Sequence, residues 1–146
     1  MNIIDITDSN RNIIAPKWLA MAETVHRQLR PQIPAEYAAR MAEIFAGGAE
    51  MAVAVEGEEL FGLTVFRMME RTFTGRELYF DDLVADDTKR SSGVGHALVA
   101  HVETLAKARG AAVVTLDSGT QRQQAHRFYF REGFTISSFH FSKTVK

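Results

Sequence analysis

The chain has 146 residues, of which 46% are hydrophobic and 24% charged, and its net charge is −1. This balance predicts a globular domain and argues against a disordered or membrane-spanning chain. The near-neutral charge gives no general attraction to nucleic acid or to anionic lipid. The lack of cysteine excludes disulfides, Cys-ligated zinc and a thiolate nucleophile.

The N-terminal residues, MNIID, lack the basic and long apolar segments of a signal peptide. Nowhere does the chain contain the run of about 18 apolar residues that a membrane helix needs. We therefore predict a cytoplasmic protein that binds neither membrane nor nucleic acid.

One short strand and two helices are predicted in the first third of the chain. Apolar residues are spaced helically from residue 14 to about residue 29, and a second helical stretch runs from beyond Pro34 to Phe45. Gly47 and Gly48 then stop the second helix.

Strands dominate the middle of the chain. Residues 51–55 and 60–69 flank a turn-like EGEE segment and predict a β-hairpin, and residues 77–85 predict another strand. Apolar residues on one helical face then predict a helix that ends at Gly110.

The last third predicts a buried strand over residues 111–116, a helix over residues 122–131 and two short strands between Gly133 and about Thr144. The full order is βααβββαβαββ. A helix between two strands of one sheet predicts a parallel crossover, whereas the hairpin is antiparallel. We therefore predict an α/β to α+β fold with a mixed central sheet, in one domain over residues 1–146.

Residues 90–95, RSSGVG, lie between a predicted strand and a predicted helix. Consecutive backbone N–H groups there can converge on an anion, and the glycines let the backbone approach it closely. No Gly-Lys-Ser/Thr follows and the G-x-G-x-x-G spacing is missing, which argues against a P-loop and a Rossmann fingerprint. Because tight turns use similar glycines, this segment alone does not assign a function.

A second segment, AHRFYFREGF over residues 125–134, places Tyr129 on a helix that Gly133 ends. Together the two segments resemble the GNAT acetyltransferases. The coenzyme motif of that family, R/Q-x-x-G-x-G/A, matches Arg90, Gly93 and Gly95, and its later motif, A-x-x-F/L-Y-x-x-x-G-F, matches residues 125–134. The resemblance covers about residues 56–134.

The resemblance implies a mixed, mostly antiparallel sheet flanked by helices, and acetyl-coenzyme A as the co-substrate. Separately, the spacing of the histidines predicts no metal. The resemblance also implies that the strand before the cradle pairs with the pantetheine arm like an added strand. At residue 122 the family often has an asparagine that bonds near the coenzyme, and that contact cannot be carried over to an arginine. The residues expected on the coenzyme side are Leu83, Val84, Ala85, Arg90, Ser91, Ser92, Gly93, Val94, Gly95, Arg122, Ala125 and Phe128.

The implied reaction is direct attack of a primary amine, from a small molecule or a peptide, on the thioester in a ternary complex. Such an amine, with an ordinary pKa of about 10.4, must lose a proton to a base. We rank Glu77 first as this base, then Asp81, Asp82 and Asp117. Strand alternation puts Glu77 and Asp81 on one face and Asp82 on the other, unless a bulge intervenes.

Tyr129 is the predicted proton donor to the departing thiolate. Coenzyme A leaves with a pKa of about 8.5 and a tyrosine has a pKa of about 10, so full transfer is uphill by roughly 2 kcal/mol. We therefore expect a strong hydrogen bond that becomes proton transfer late, or a locally lowered pKa of Tyr129. Backbone N–H groups near Leu83 would polarise the thioester carbonyl.

Other residues give weaker signals. The five histidines show no metal-site spacing and predict surface or packing positions; they are His26, His96, His101, His126 and His140. The arginines at residues 67, 71 and 76 flank the acceptor cleft that the resemblance implies, but interleaved glutamates favour a salt-bridged face.

Two alternative functions remain open from the sequence. One is a non-catalytic coenzyme A-binding or interaction domain, and the other is an enzyme that acetylates a polypeptide or a tRNA-bound amine. The apolar terminal strand around Phe139 and Phe141 is compatible with a homodimer and equally with a core position.

Overall fold

A computed structural model describes residues 1–89 and 92–146 of the chain. Every element predicted as far as residue 131 is present, with ends within two residues of the predicted ones. In chain order the elements are β1 (Asn2–Asp5), α1 (Pro16–Leu29), α2 (Tyr37–Ala46), β2 (Ala49–Glu56), β3 (Glu59–Arg71), β4 (Gly75–Ala85), α3 (Val94–Ala108), β5 (Val113–Leu116) and α4 (Gln123–Arg131), with a short 3₁₀ turn at Asp87–Lys89.

The prediction of two final strands is wrong. Residues 134–146, all of which the structure describes, form neither helix nor strand. Alternating apolar residues predicted the strands, but Ile136, Phe139 and Phe141 are 72%, 83% and 91% exposed. An alternating pattern becomes a strand only where a neighbouring strand supplies ladder hydrogen bonds.

The central sheet has five strands in the order β1-β2-β3-β4-β5. The first four pair antiparallel with their neighbours. Short turns connect β2 to β3 and β3 to β4, as antiparallel hairpins allow, whereas α1 and α2 separate β1 from β2 in the chain. Helix α3 separates β4 from β5 in the chain. The predicted class, a mostly antiparallel sheet flanked by helices, is confirmed.

Helices cover both faces of this sheet. Val53 packs in one buried cluster with Leu19 of α1 and Phe45 of α2, whereas the next residue, Ala54, packs with Leu98 of α3. Successive strand residues point to opposite faces, so α1 and α2 lie on one face and α3 on the other. Fully burying each large side chain contributes about 1.5–3 kcal/mol.

The chain forms two compact units, Met1–Thr115 and Leu116–Lys146. The first unit contains the four antiparallel strands and helices α1 to α3, and the second contains α4 and the C-terminal residues. The single domain over residues 1–146 stays a prediction. Within the described part of the chain, each helix is too short or too polar to cross a membrane.

Candidate active site

The predicted phosphate cradle lies at the N-terminus of α3. Gly93 precedes the helix with a φ of 81°, in the left-handed region that favours glycine. The first backbone N–H groups of a helix have no partner within it, so they point at any anion placed there. Ser92 Oγ donates to the Lys89 carbonyl at 2.6 Å, while Arg90 and Ser91 lie outside the described residues.

Two further cradle residues have different surroundings. The side chain of Val94 is buried against Ala54 and Leu98, so Val94 can serve a ligand only through its backbone. Gly95 is half-buried in the first turn of α3. The described residues of the cradle therefore fit an anion held by main-chain groups.

The end of β4 is the predicted pantetheine site. Strand β4 has eleven residues, whereas β5 has four. The segment leading into β5 bonds at the start of β4, where Ala112 N donates to Arg76 O at 2.9 Å. The half-buried residues 83–85 therefore extend beyond the part of β4 that β5 covers. An extended ligand can pair with such a strand edge.

A β-bulge interrupts β4 just before this segment. Val65 of β3 faces Asp82, and the next residue, Phe66, faces Phe80. Within the described strand pair, Asp81 is therefore the extra residue. The bulge turns Asp82 toward α1, where it contacts His26. Asp82 therefore lies on the sheet face opposite to the one that regular alternation predicts for it.

Asp82 belongs to a buried hydrogen-bond network. His26 Nε2 lies 2.7 Å from Asp82 Oδ2, and Arg30 Nε donates to Asp82 Oδ1 at 2.7 Å. Tyr37 of α2 completes the network at 2.8 Å from His26 Nδ1. Burial raises the pKa of Asp82, but the hydrogen bonds and charges of His26 and Arg30 outweigh it and hold the pKa below its usual value. Asp82 is thus an ionised anchor for α1, and His26 links it to Tyr37 of α2.

Asp81 has the opposite electrostatic character. Burial raises the pKa of Asp81 above its usual value, and the hydrogen bond and charge of Arg67 offset only part of this effect. Arg67 Nη2 lies 2.7 Å from Asp81 Oδ2, and the side chains are 31% and 23% exposed. A reachable carboxylate with a raised pKa suits a general base, and adjacent acids with diverging pKa values suit different roles.

Glu77 occupies a closed position. The residue is 3% exposed, and Thr74 and Thr115 donate to its two carboxylate oxygens at 2.9 and 2.6 Å. Arg71 lies 3.6 Å away. These contacts favour a structural role for Glu77 and move Asp81 ahead of it as the candidate base.

The second unit carries the remaining predicted site residues. The half-buried Tyr129 ring contacts Phe128 and Phe134, with centroids 5.6 and 5.8 Å apart. Asp117 Oδ2 lies 3.6 Å from His140 Nδ1. Arg122 immediately precedes α4, and Ala125 lies half-buried within it.

Sequence reasoning did not identify the residues that hold the bulge. Arg30 Nη2 donates to the Asp81 carbonyl at 3.1 Å, and Thr64 Oγ1 donates to the Asp82 carbonyl at 2.8 Å. His26 is buried, as a packing histidine was expected to be. The sequence feature that could have identified His26 and Arg30 is their spacing of four residues, which places both on one helix face.

The three arginines near the predicted cleft are salt-bridged, as their sequence surroundings favoured. Arg67 pairs with Asp81, and Arg71 with Glu77. Arg76 pairs with Glu70. In the part of the chain that the structure describes, no three His, Cys, Asp or Glu side chains converge as a metal site requires; the absence of a metal stays a prediction.

A cavity of about 710 Å³ lies elsewhere in the first unit, lined by the loop after β1, the end of α2 and residues of β2, β3 and β4 beside the C-terminal end of α3. The N-terminal cradle and this end of α3 are separated by a helix of 15 residues, or roughly 22 Å. Arg109 lines the cavity and is held by Glu50 at 2.6 Å. Arg76 and Glu70 of the lining also pair with each other, whereas Arg11 adds a further positive charge.

The acetyltransferase (GNAT) family model matches residues 17–134. The chain belongs to the GNAT acetyltransferase family. The match begins in α1, so it extends well beyond the stretch that carries the sequence motifs. GNAT membership makes the cradle and the uncovered end of β4 the expected coenzyme side of the protein.

Two curated relatives match part of this GNAT chain. The uncharacterised N-acetyltransferase YhdJ of Bacillus subtilis is 43% identical over 49% of the chain and 51% of the relative. The aminoalkylphosphonate N-acetyltransferase of Salmonella typhimurium is 38% identical over 44% of the chain and 42% of the relative. The chain thus spans about half the length of these relatives in the matched regions.

Solved structures share the GNAT architecture over nearly the whole chain. A transcriptional regulator from Bacillus halodurans is 25% identical, with a TM-score of 0.75 and 99% of both chains covered. AAC(6')-Iy, solved in complex with the bisubstrate analogue CoA-S-monomethyl-acetylneamine, is 14% identical, with a TM-score of 0.81 and coverage of 99% and 97%. These similarities support the fold.

Proposed function

We propose that this GNAT protein transfers the acetyl group of acetyl-coenzyme A to a primary amine of a small molecule or a peptide. The observation that carries the proposal is the β4 bulge, which presents Asp81 beside the strand end left uncovered by β5. Family membership and the N-acetyltransferase relatives support acetyl transfer. The name of the Salmonella relative supports an amine acceptor.

Each proposed group has one task in the proton balance. The amine nitrogen forms a bond to the acetyl carbon, the carbon–sulfur bond breaks, and Asp81 takes the amine proton. Tyr129 gives a proton to the thiolate, a role that rests on the motif over residues 125–134. Backbone N–H groups near Leu83 stabilise the negative charge on the carbonyl oxygen. Bound acetyl-coenzyme A supplies the thioester.

Asp82 is not needed as a second base in this scheme. Its carboxylate already accepts from His26 and Arg30, and its pKa is held low after the opposing effect of burial. A carboxylate with a low pKa has little tendency to take a proton. Its role is to hold α1 against β4, next to Asp81.

A thiol-release assay with acetyl-coenzyme A and a panel of primary amines tests the proposal. Asp81→Asn removes the base and is expected to lower kcat about 10²-fold or more. Glu58→Gln is the control, because Glu58 is an 82% exposed carboxylate whose loss should leave kcat within about twofold.

The two outcomes separate catalysis from binding. An enzyme releases thiol only when an amine is present, and this release depends on Asp81. Stabilisation by acetyl-coenzyme A without thiol release from any amine would instead indicate the non-catalytic coenzyme A-binding alternative. Unchanged kcat in Asp81→Asn would remove Asp81 from the mechanism while leaving acetyl transfer intact.

A further inference from the structure

The surface of β3 and β4 that faces α1 is lined by paired charges. Three arginine–carboxylate pairs lie there, and their N–O distances are 2.7, 2.7 and 3.6 Å. The three arginine side chains are 42%, 31% and 41% exposed, so solvent reaches the cationic member of each pair. The pairs are Arg30–Asp82, Arg67–Asp81 and Arg71–Glu77.

The pair at Asp81 constrains what an acceptor can carry. An amine that donates to Asp81 must also lie near the Arg67 guanidinium, because the two side chains are 2.7 Å apart. A purely cationic acceptor would be repelled by the Arg67 guanidinium. It would also only exchange the Arg67–Asp81 ion pair for its own pair with Asp81. An acceptor with its own anion would satisfy both partners.

We propose that the acceptor is a compact zwitterion, in which a carboxylate or phosphonate lies two or three carbons from the reacting amine. The amine meets Asp81 and the anion meets Arg67, whose guanidinium suits bidentate recognition of either anion. Because the Arg67 and Asp81 side chains are in direct contact, the two charges of the acceptor must be close together. This inference rests on the proposed acetyl transfer.

The same charges disfavour polyamines and aminoglycosides. Such polycations need several uncompensated carboxylates, but each of the three acids described on this face already has a guanidinium partner. The specificity comes from repulsion of the wrong acceptor as well as from attraction of the right one.

A matched panel of short primary amines tests the charge requirement. β-Alanine, 2-aminoethylphosphonate, ethanolamine and ethylenediamine each carry a second group two carbons from the amine: a carboxylate, a phosphonate, a hydroxyl and a second amine, respectively. We expect kcat/KM per neutral amine to be at least tenfold higher for one of the two zwitterions than for ethanolamine or ethylenediamine. The stronger zwitterion identifies the preferred anion. Equal or faster turnover of ethanolamine or ethylenediamine would overturn the inference while supporting acetyl transfer.

Arg67→Gln tests the residue. We expect it to lower kcat/KM at least tenfold more for the preferred zwitterion, chiefly through KM, than for ethanolamine, whose smaller loss reports the contact of Arg67 with Asp81. Arg76→Gln is the matched control, because Arg76 pairs with Glu70 instead and should leave both amines unaffected. An equal loss with all four amines would show general damage and overturn the role of Arg67. No thiol release from any amine would contradict the proposed function, and the inference with it.

Discussion

At the scale of single residues, the site depends on two adjacent aspartates with different partners. Asp82 is tied to His26 and Arg30, and Asp81 to Arg67. For both carboxyls burial raises the pKa, but only at Asp82 do the partners outweigh this effect. The two neighbouring aspartates therefore differ in electrostatic character, as the proposed roles in anchoring and in proton transfer require.

Asp82→Asn is expected to lower the free energy of unfolding at pH 7 by about 1.5–3 kcal/mol, because it removes charged hydrogen bonds. The folded-state pKa of Asp82 is depressed, so this stability is present above the ordinary aspartate pKa and is lost as pH falls through the folded value. Urea unfolding from pH 3 to 8 should show the difference from wild type shrinking below about pH 4.

Asp81→Asn is the matched variant for this measurement. The folded-state pKa of Asp81 is raised, so ionised Asp81 disfavours folding as pH rises through that value. The stability of Asp81→Asn relative to wild type should therefore increase as pH rises from the ordinary aspartate pKa through the raised pKa of the folded state. The same pH slope in both variants would contradict the separate roles.

At the scale of elements, β3, β4 and α3 meet at one close contact. A Cβ added at Gly62 of β3 would lie 2.7 Å from the Val84 carbonyl oxygen and closer still to Val94 Cγ1. Val84 lies in the predicted pantetheine segment and Val94 starts the helix of the cradle. Gly62 therefore lets both coenzyme-side elements approach the same point of the sheet.

Gly62→Ala is expected to destabilise the fold by about 1–3 kcal/mol through overpacking, and to weaken acetyl-coenzyme A binding because α3 must shift away from β4. Calorimetric titration with acetyl-coenzyme A and thermal unfolding measure the two effects. Gly47→Ala is the control, because a Cβ there would lie 3.4 Å from the nearest atom. Unchanged affinity in a destabilised Gly62→Ala would show that the close contact supports only the fold.

At the scale of the whole molecule, the proposed chemistry draws on residues from two compact units. Asp81 belongs to Met1–Thr115, and Tyr129 belongs to Leu116–Lys146. Each unit holds its own residue by local contacts: Arg67 bonds Asp81, and Phe128 and Phe134 pack on Tyr129. Catalysis as proposed requires both.

Tyr129→Phe is expected to lower kcat about 10²-fold, the usual size of a lost general acid, while acetyl-coenzyme A still raises the melting temperature. Tyr37→Phe is the comparison, because it removes a hydroxyl bonded to His26. That change should lower stability by about 0.5–1.5 kcal/mol and keep kcat. Saturating thiol-release kinetics at several pH values checks both, and a full kcat in Tyr129→Phe would exclude it as the donor.

The sequence by itself determined the types and order of the elements as far as α4, and the motifs at residues 90–95 and 125–134 that mark the family. These features are local, because helical and strand periodicity, glycine stops and short motifs are written within a few residues. The final strands failed because ladder pairing is not local.

Only the tertiary structure distinguished the candidate carboxylates by their surroundings. The bulge at Asp81 depends on the register between β3 and β4, and the burial of Glu77 depends on Thr115, 38 residues away. His26 and Arg30 meet Asp82 across 56 and 52 residues. Such pairings follow from how helices and strands pack together, so the order of candidate bases emerged only from the folded chain.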